Sequence, residues 1–422
     1  MRFSVFTPTH RPDHLLEAYR SLTRQAIPDW EWVLVPNNGC QIPDEILLDT
    51  RVKVVSFESD KVGQLKRFAC ANAEGEILVE LDHDDMLEPT ALQDIGNAVD
   101  AGAGFVYSDF VNFRPDGTCE VYETKYGWEH YPHRGYTAHR AFPADASSLS
   151  AIFFAPNHVR AWTREAYESA GGHDASMSIC DDYDLVCRTY LAGFKFTHIP
   201  RCLYLYRLHD GSRKNTYIAR NAEIQAKQEE VGDKYRHLLI AEWCQREKLP
   251  MYDLGGGTEP AEGFKSVDIK WGAHVVCNIR NGLPMPDNSV GAIRASDFLE
   301  HIPHCRDSTC SHQAVEGCVV FLMNEIYRVL APGGWLISAT PSTDGRGAFQ
   351  DPTHCSFWNS NSTFYYTRQE QAKFVPGSLS RFKTMRIQNT YPNDWAKTHH
   401  IVYLFWDAVA LKGQRQAGLC EI

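Results

Sequence analysis

Short apolar runs alternate with helix-prone segments along this chain, and the alternation occurs twice. In the first half, the runs FSVFTP, WEWVLVPN, VKVVSFE and GEILVELD read as strands, separated by helix-prone stretches such as HLLEAYRSLTRQA and GQLKRFACANAE. After Pro250 the alternation restarts with MYDLGGG, FKSVDI, AHVVCNI, GAIRASD and GWLISATP. Strand–helix–strand alternation predicts a parallel sheet with helices on its faces. We therefore predict an α/β protein with two such domains.

A polar, helix-prone stretch separates the two halves. It runs from Asn215 to Lys248 and contains no proline and a single glycine. The 422 residues suit two domains, since domains usually have about 100–200 residues each. We predict a first domain over residues 1–215, a helical linker over 216–248 and a second domain over 249–422.

Composition narrows the class of protein. A hydrophobic content of 43% predicts a well-cored globular chain, and no apolar run reaches the roughly 18 residues that span a bilayer. The N-terminus lacks the pattern of a secretion signal, and the thirteen cysteines are scattered. We expect reduced thiols in a cytoplasmic enzyme. The net charge of −11 disfavours broad binding to nucleic-acid phosphates but leaves a local basic groove open.

Polar residues follow the first two predicted strands. In such sheets ligands bind beyond the carboxyl ends of the strands. FTPTHR places Thr7, Pro8, Thr9 and Arg11 at that edge, and VPNNG adds the amides of Asn37 and Asn38. Each segment taken alone is also explained as a turn, because proline, asparagine and glycine are turn residues.

Two acidic segments add chemistry to the same edge. LDHDD, residues 81–85, places three carboxylates within four residues at the end of an apolar strand. Such a set favours a hard divalent cation, with a solvated acidic turn as the alternative. CDDYDL places Asp181, Asp182 and Asp184 at the start of a predicted helix. There aspartate either caps the helix or acts as a general base.

The motif order FTPTHR, SLTRQAIPDWEWVLV, GQLKRFACANAEGEILVELDHDD, GGHD, DDYDL and YRLH resembles an inverting family 2 glycosyltransferase of the GT-A fold. The resemblance covers about the first 215 residues. It implies a Rossmann-like domain that binds a nucleotide diphosphate sugar with Mn²⁺ or Mg²⁺ and transfers the sugar, of hexosyl type, to an acceptor hydroxyl.

This resemblance assigns roles to individual residues. Asp82 would contact the ribose, Asp84 would hold the metal at the diphosphate, and Asp182 would be the general base. Asp181 stands where the family usually has glutamate. His209 in YRLH matches a further metal ligand of some members, although a lone histidine is also commonly structural.

The nucleotide base is less well defined. The family usually has an aspartate after the second strand to bind the uracil imide, whereas this chain has Pro36, Asn37 and Asn38. An asparagine oxygen can still accept that hydrogen bond, so UDP is expected, with GDP and dTDP left open. The implied nucleotide-sugar site comprises Thr7, Pro8, Thr9, Arg11, Asn37, Arg67, Asp82 and Asp84.

The second half carries its own candidate site. DLGGGTEP, residues 253–260, follows a strand and is expected to lead into a helix, and Asp268 ends the next strand. An acidic residue there can hold both ribose hydroxyls, which favours a nucleoside-containing cofactor over a purely structural turn.

The segments NGLPMPDNSVGAIRASDFLEHI and MNEIYRVLAPGGWLISATPS resemble a class I S-adenosylmethionine-dependent methyltransferase over about residues 250–345. The resemblance implies a Rossmann-like fold in which Gly255 and Gly257 line the methionine portion of the cofactor and Asp268 holds its ribose. Asn278 would lie near the adenine, where aspartate is more usual. The implied cofactor-binding set is Asp253, Gly255, Gly257, Asp268, Asn278 and Asp297.

Two further hypotheses concern the segment after residue 300. The motif DPTHCSFWNSNSTFYYT is also similar to some of these methyltransferases, so His301, Asp351 and His354 are expected to face the acceptor, with His301 catalytic. Alternatively, HIPHCRDSTCSHQAVEGC supplies candidate zinc ligands, although its spacing fits no standard finger. These candidates are His301, His304, Cys305, Cys310, His312 and Cys318.

The sequence thus predicts a bifunctional enzyme that adds a sugar and methylates a hydroxyl, with that same sugar as one candidate for methylation. One alternative keeps the glycosyltransferase and makes the second domain a non-catalytic acceptor-binding or scaffold module, and another is a lectin-like protein with neither activity. A glycan or protein acceptor fits the acidic chain better than nucleic acid. Aromatic residues supply either a sugar-stacking wall or core packing, and the oligomeric state is left open. These aromatic residues are Trp128, Tyr131, Tyr136 and Trp162.

Overall fold

A computed structural model describes residues 1–151, 156–209, 215–305 and 317–422. Its contacts divide the chain into two compact units. Unit 1 comprises Met1–Leu239 with Gln416–Gly418, and unit 2 comprises Ile240–Arg415 with Leu419–Ile422. The division along the chain falls within one long helix, Asn221–Arg246. Among the described residues, no helix combines the length and apolar character needed to cross a membrane.

Unit 1 is built on a mixed sheet with eleven strands among the described residues. The strands are β1 (Phe3–Thr9), β2 (Trp30–Pro36), β3 (Val52–Val54), β4 (Ile77–Glu80), β5 (Met86–Leu87), β6 (Phe105–Phe113), β7 (Cys119–Glu120), β8 (Glu129–His133), β9 (Tyr136–Arg140), β10 (Arg160–Thr163) and β11 (Phe196–Arg207). The main strand order is β3-β2-β1-β4-β10-β6-β11-β5, while β7 and β9 pair with β6 and β8 pairs with β9.

Strand direction decides which residues meet at the functional edge of this sheet. The strands β3, β2, β1 and β4 run parallel, whereas β10 runs antiparallel to both β4 and β6. The carboxyl ends of β1, β2 and β4 therefore lie beside the amino end of β10. The register pairs Ala161 with Val79, so Arg160 at the start of β10 lies next to Glu80 at the end of β4.

Several helices of unit 1 contact this sheet. The helices of this part of the chain are α1 (Leu15–Thr23), α2 (Asp44–Leu47), α3 (Val62–Ala71), α4 (Ala91–Asp100), α5 (Ala146–Leu149), α6 (Arg164–Ser169), α7 (Asp181–Leu191), α8 (Thr216–Ala219) and α9 (Asn221–Arg246), the last of which ends in unit 2. In α1, Leu15, Ala18 and Leu22 recur at helical spacing and are buried, as expected of one apolar stripe on an amphipathic helix. They pack in a core with β1, β2 and β4.

The described residues of unit 2 form a seven-stranded sheet. Its strands are β12 (Met251–Leu254), β13 (Lys265–Asp268), β14 (Val275–Val276), β15 (Val290–Ser296), β16 (Leu330–Pro341), β17 (Phe382–Thr390) and β18 (Tyr403–Ala410), in the order β14-β13-β12-β15-β16-β18-β17. The first five in this order run parallel, and β18 runs antiparallel to β16 and β17. The order reverses between β12 and β15, which forms the crevice where α/β sheets bind ligands.

The helices of unit 2 are short apart from one. They are α10 (Val319–Val329), α11 (Gly347–Gln350), α12 (Ser360–Thr367), α13 (Gln369–Ala372) and α14 (Asp394–Thr398). Buried Val320, Met323 and Ile326 of α10 pack in a core that includes Val290 of β15 and Trp406 of β18. The α/β character expected of the second half is therefore present.

One local expectation for unit 2 is wrong. The glycine-rich turn after β12 was expected to lead into a helix, but residues 255–264, all of them described, form turns and bends only. Gly255 has a φ of 75°, and a Cβ there would lie 2.5 Å from the ring of Phe298. The turn thus needs glycine for its left-handed backbone and for close packing, and neither requirement depends on a following helix.

The core of unit 1 generates a stability prediction. We expect Leu22→Ala to lower the free energy of unfolding by about 2–5 kcal/mol, because it removes fully buried methyl groups and leaves a cavity. Leu48→Ala is the matched control, since Leu48 is 83% exposed, and it should change stability by no more than about 0.5 kcal/mol. Urea denaturation followed by tryptophan fluorescence measures both, and equal losses would contradict the assigned core.

Candidate functional site

Unit 1 contains a cavity of about 870 Å³ at the carboxyl ends of its central parallel strands. Residues after β1, β2 and β4 line it together with the start of α7 and the segment after β11. The cavity brings together most of the site residues expected from the sequence: Pro8, Thr9, Arg11, Asn37, Asn38, Asp82, Asp84, Asp181, Asp182 and His209. Segments about 200 residues apart in the chain therefore meet at one sheet edge. This is the edge, beyond the carboxyl ends of the parallel strands, where α/β sheets bind ligands.

Two expected residues do not line the cavity. Thr7 is fully buried, where its hydroxyl donates to the carbonyl of Leu81 at 2.6 Å and accepts from the indole N–H of Trp32 at 2.9 Å. Arg67 is exposed and donates to the carbonyls of Gly171 and His173. The side chains of Thr7 and Arg67 thus have structural contacts in place of the expected contact with a nucleotide.

Lys66 lines the cavity where Arg67 was expected. Successive residues of a helix point about 100° apart, so only one of the two neighbours in α3 can face the sheet edge. Lys66 is buried and its Nζ donates to Glu80 Oε1 at 2.5 Å. The sequence missed Lys66 because the lysine–arginine pair itself does not indicate which member faces inward.

Glu80 connects a buried ionic network at the floor of the cavity. Its carboxylate accepts from Lys66 Nζ on one oxygen and from Arg160 Nε, at 2.7 Å, on the other. Arg160 also holds Asp182, with 2.7 Å between Nη2 and Oδ2. Burial raises the pKa of the Glu80 carboxyl, but Arg160 and Lys66 outweigh it and hold that pKa well below its usual value. The two cations thus keep Glu80 ionised.

Asp181 lies on the other side of this network. Its Oδ2 lies 2.9 Å from Nδ1 of His173 and 3.6 Å from Nζ of Lys66. Burial opposes ionisation of Asp181, but Lys66 and His173 together lower its pKa. His173 belongs to the GGHD motif and is fully buried, so that motif contributes a partner that orients Asp181.

The three aspartates of LDHDD have three different environments. Asp82 lines the cavity, and burial raises the pKa of its carboxyl to about 7. Asp84 Oδ2 lies 2.6 Å from Nε2 of His209, and although burial opposes it, this contact lowers the pKa of Asp84. Asp85 is buried outside the cavity and accepts from the backbone N–H of Arg207 and the hydroxyl of Tyr204. Of these three aspartates, Asp82 and Asp84 therefore line the cavity and Asp85 does not.

Charge is unbalanced around the cavity. Seven carboxylates lie on it or at its floor, against four basic side chains, and the two buried cations, Lys66 and Arg160, pair with three of the carboxylates. The carboxylates are Glu58, Asp60, Glu80, Asp82, Asp84, Asp181 and Asp182, and the basic side chains are Arg11, Lys66, Arg160 and Arg220. A surplus of buried negative charge is unfavourable unless protons or a cation offset it. Burial is the main cause of the raised pKa of Asp82, and the charges of Glu80 and Asp84 add to it.

The polar residues after β2 are used internally. The side chain of Asn37 donates to the carbonyl of Ser59 at 2.8 Å and accepts from its N–H at 3.2 Å. Its oxygen, expected to bind the nucleotide base, is thus already engaged. The carboxylate of Glu58 lines the same part of the cavity and accepts from the backbone N–H of Asn38 at 2.8 Å. The sequence reading had not singled out Glu58, an acidic residue close to the end of β3.

Aromatic residues divide between core and cavity. Trp162 is fully buried and Trp128 nearly so, both within unit 1, and Tyr131 donates its hydroxyl to Asp109. Core packing therefore explains the tryptophans. The rings that line the cavity are instead those of Tyr122, Tyr206 and Tyr217.

In unit 2, the residues expected to bind S-adenosylmethionine follow neighbouring strands. Asp253 and Gly255 lie at the end of β12, Asp268 at the end of β13 and Asp297 directly after β15. Several already have partners within the unit. Asp253 accepts from Arg294 and from the N–H of Ala261, and Asp268 accepts from the N–H groups of Gly257 and Lys270.

The remaining two candidates for that cofactor are also engaged. Asn278 caps a short 3-10 helix by accepting from the N–H of Arg280 at 3.1 Å. Asp297 has a φ of 47° and accepts from the hydroxyl of Tyr403 at 2.5 Å. Its left-handed backbone directs the chain away from β15 towards the segment that contains His301.

The structure groups the candidates after residue 300 differently from the zinc hypothesis. The Nε2 atom of His304 accepts from the backbone N–H of Phe357, and the sulfur atoms of Cys305 and Cys318 are 3.3 Å apart. Cys310 and His312 lie outside the described residues. His301 and His354 instead stack edge to face, with 5.0 Å between ring centroids.

Comparison with known proteins finds similarity in the first part of the chain. Residues 4–154 match the model of the family described as glycosyl transferase family 2. The uncharacterized protein y4gI of Sinorhizobium fredii is 28% identical over 230 residues, and the chondroitin synthase of Pasteurella multocida is 23% identical over 238. These alignments cover 50% and 52% of this chain but 23% of each relative, so the chain matches about a quarter of their length.

Solved structures were also matched. The S. aureus TarS fragment in complex with UDP-GlcNAc is 16% identical, with a TM-score of 0.41 and coverage of 58% of this chain and 73% of that one. The mannosyltransferase PcManGT of Pyrobaculum calidifontis, in complex with GDP-Man and Mn²⁺, is also 16% identical, with a TM-score of 0.38 and coverage of 56% and 69%. The residues that match the glycosyl transferase family 2 model, 4–154, contain β1, β2 and β4 with the aspartates that follow β4.

Proposed function

We propose that unit 1 transfers a sugar from a nucleotide diphosphate sugar, with UDP as the nucleotide, to an acceptor hydroxyl with inversion at the anomeric carbon. The observation that carries the proposal is the meeting of Asp82, Asp84 and Asp182 in one cavity at the carboxyl edge of a parallel sheet. The family match supports it, because the matched residues include Asp82 and Asp84.

The residues present fit a divalent cation. Asp84 and His209 are the ligands we assign, since their side-chain atoms already meet at 2.6 Å inside the cavity. Mg²⁺ and Mn²⁺ usually take one or two carboxylates and leave further positions to substrate phosphates. The surplus of carboxylates described above is the charge that such a cation would offset. When bound, it would stabilise the negative charge that develops on the departing diphosphate.

Asp182 is the base we assign. Its Oδ2 is fixed by Arg160 and its Oδ1 accepts from the N–H of Tyr183, so the carboxylate is held in one orientation at the start of α7. In the proposed step, the acceptor hydroxyl gives its proton to Asp182 while its oxygen forms the new bond to the anomeric carbon. The bond from that carbon to the diphosphate breaks, and the electron pair leaves with the nucleoside diphosphate.

The donor would lie across the residues that follow β1, β2 and β3. Pro8, Thr9 and Arg11 line one side of the cavity and Glu58 another. Because the Asn37 amide is engaged by Ser59, we assign recognition of the uracil imide N–H to the carboxylate of Glu58. We propose a glycan or protein hydroxyl as the acceptor, and the tyrosines that line the cavity supply flat surfaces on which a sugar ring can pack.

For unit 2 we propose S-adenosylmethionine-dependent methylation of a hydroxyl, with the transferred sugar as one candidate acceptor. Two observations favour it: the sheet order reverses between β12 and β15, and the glycine turn and Asp268 follow adjacent strands at that crevice. The competing proposal is a non-catalytic module that binds the acceptor. The missing helix after the glycine turn and the internal hydrogen bonds of Asp253 and Asp268 favour that alternative.

Metal-dependent nucleotide binding tests the first proposal. We expect the full chain to bind UDP more tightly with Mn²⁺ than without it, and Asp84→Asn to abolish the difference, because the cation would lose its carboxylate ligand. Titration calorimetry with UDP, GDP and dTDP measures the binding and identifies the base. Asp116→Asn, an exposed aspartate of the same unit, is the control. Failure of all three nucleotides to bind with metal would refute the assignment.

A second experiment separates base catalysis from binding. We expect Asp182→Asn to lower the rate of UDP release from a UDP-sugar about 10²–10⁴-fold, because the amide cannot take the proton, while UDP affinity changes less than about threefold. Coupled detection of UDP gives the rate, and Asp116→Asn again serves as the control. A variant that keeps the wild-type rate would exclude Asp182 as the base.

Binding of S-adenosylhomocysteine tests unit 2. We expect the full chain to bind this product. Asp268→Asn should lower the affinity for S-adenosylhomocysteine at least about tenfold, because it removes the carboxylate that would accept from both ribose hydroxyls. Asp394→Asn, on an exposed residue of the same unit, should leave the affinity unchanged. Calorimetry gives both values, and a wild-type chain that binds no S-adenosylhomocysteine would leave the non-catalytic module as the function of unit 2.

A further inference from the structure

A second cluster of metal-ligating side chains lies in unit 2. Glu300, His301 and His354 each offer one ligand atom, and these three atoms all lie within 4.8 Å of one another. Glu300 and His301 belong to a short 3-10 helix (Leu299–His301) that follows β15, and His354 follows α11. The backbone carbonyl of Glu300 accepts from the N–H groups of Cys355 and Ser356, at 2.8 and 2.9 Å. These bonds hold the two segments together.

Glu300 has an unused oxygen in this cluster. The residue is 1% exposed, and its Oε2 accepts from the hydroxyl of Thr340 at 2.7 Å. Its Oε1 is buried with no hydrogen-bond partner among the described residues. A buried carboxylate oxygen without a donor is strongly unfavourable, so this atom calls for a proton or a cation.

Hydrogen bonds fix the protonation of both histidines. The hydroxyl of Thr353 donates to Asp351 at 2.7 Å, so at 3.1 Å from His301 Nδ1 it must accept from that ring. His354 Nδ1 lies 3.0 Å from the carbonyl of Ala348, which can only accept. Both rings therefore carry their proton on Nδ1 when neutral, which leaves the lone pair of Nε2 available. Metal-binding histidines commonly donate their other N–H to such an oxygen.

We propose that Glu300 Oε1 and the Nε2 atoms of His301 and His354 bind one divalent transition-metal ion of the zinc class. Two imidazoles and one carboxylate form a ligand set typical of zinc sites that keep a fourth position open for water or substrate. Ligand atoms around tetrahedral zinc are about 3.4 Å apart. One ligand atom from each of the three residues already lies within 4.8 Å of the others, so side-chain rotations that move these atoms by about 1 Å would complete the site. Imidazole ligands favour zinc over magnesium.

This site differs from both metal hypotheses made above. It shares only His301 with the set of histidines and cysteines named as candidate zinc ligands from the sequence. It also includes Glu300, a residue that belongs to neither hypothesis. It also involves none of the ligands assigned in unit 1. The inference therefore holds whether or not unit 1 transfers a sugar or unit 2 a methyl group.

Metal analysis of the full chain tests the proposal. The Asp84→Asn variant serves as the background, because it removes the cation ligand assigned in unit 1. We expect it to retain about one Zn²⁺ per chain after dialysis, measured by plasma mass spectrometry, and to acquire visible absorption bands with Co²⁺. Adding His301→Ala, His354→Ala or Glu300→Gln should lower the affinity for Zn²⁺ at least about tenfold, measured by competition with a chelating dye. Mg²⁺ should not displace the bound Zn²⁺.

Matched histidines of unit 2 supply the controls. His304→Ala removes a member of the Cys/His set and His399→Ala an exposed histidine, and both should leave zinc affinity unchanged. Circular dichroism checks folding, and the two histidine variants decide the question if Glu300→Gln does not fold. A background chain without zinc, or a His301→Ala/His354→Ala double variant that keeps it, would overturn the proposal. Loss of zinc in His304→Ala alone would assign the metal to the Cys/His set instead.

Discussion

Glu80 lies at the end of a fully buried strand with its carboxylate between two buried cations, Lys66 and Arg160. Removing one member of such a network leaves an uncompensated charge in the interior, which is far more unfavourable than losing an exposed ion pair. Glu80 therefore fixes where both cations can lie. Through them it also fixes Asp181 and Asp182, so the candidate base is positioned from the core of the sheet rather than from the surface.

The same network bears on the cation proposed for the cavity. Lys66 and Arg160 pair with Glu80, Asp181 and Asp182, so Arg11 and Arg220 are the basic lining side chains that remain for Glu58, Asp60, Asp82 and Asp84. His209 contributes a single imidazole to Asp84. The outer part of the cavity thus remains acidic, although a negatively charged diphosphate is the proposed ligand. A divalent ion reconciles the two, because it can bind carboxylate and phosphate oxygens together.

In unit 2, as in unit 1, candidate site residues lie at the carboxyl ends of parallel strands. Hydrogen bonds within the unit already engage several of the residues predicted to bind the cofactor. Within the described part of the chain, the buried Oε1 of Glu300 has no such partner. The two candidate sites of this unit therefore differ in kind: at the glycine turn the polar groups are satisfied, whereas beside β15 an unsatisfied acceptor faces two oriented imidazoles.

The strand–helix alternation at the start of each half, the α/β class and the meeting of the polar motifs in one cavity at the strand ends follow from the sequence, because local periodicity and the aspartate motifs determine them. The antiparallel strands that make both sheets mixed were not predicted. The sequence did not indicate that β10 inserts antiparallel beside β4, which brings Arg160 to Glu80. Nor did it indicate that Lys66 rather than Arg67 faces the cavity, that Ser59 occupies the Asn37 amide, or that no helix follows the glycine turn. Pairing of distant strands, the rotation of a helix about its axis and the satisfaction of buried polar groups depend on contacts between segments far apart in the chain. Only the tertiary structure determines those contacts.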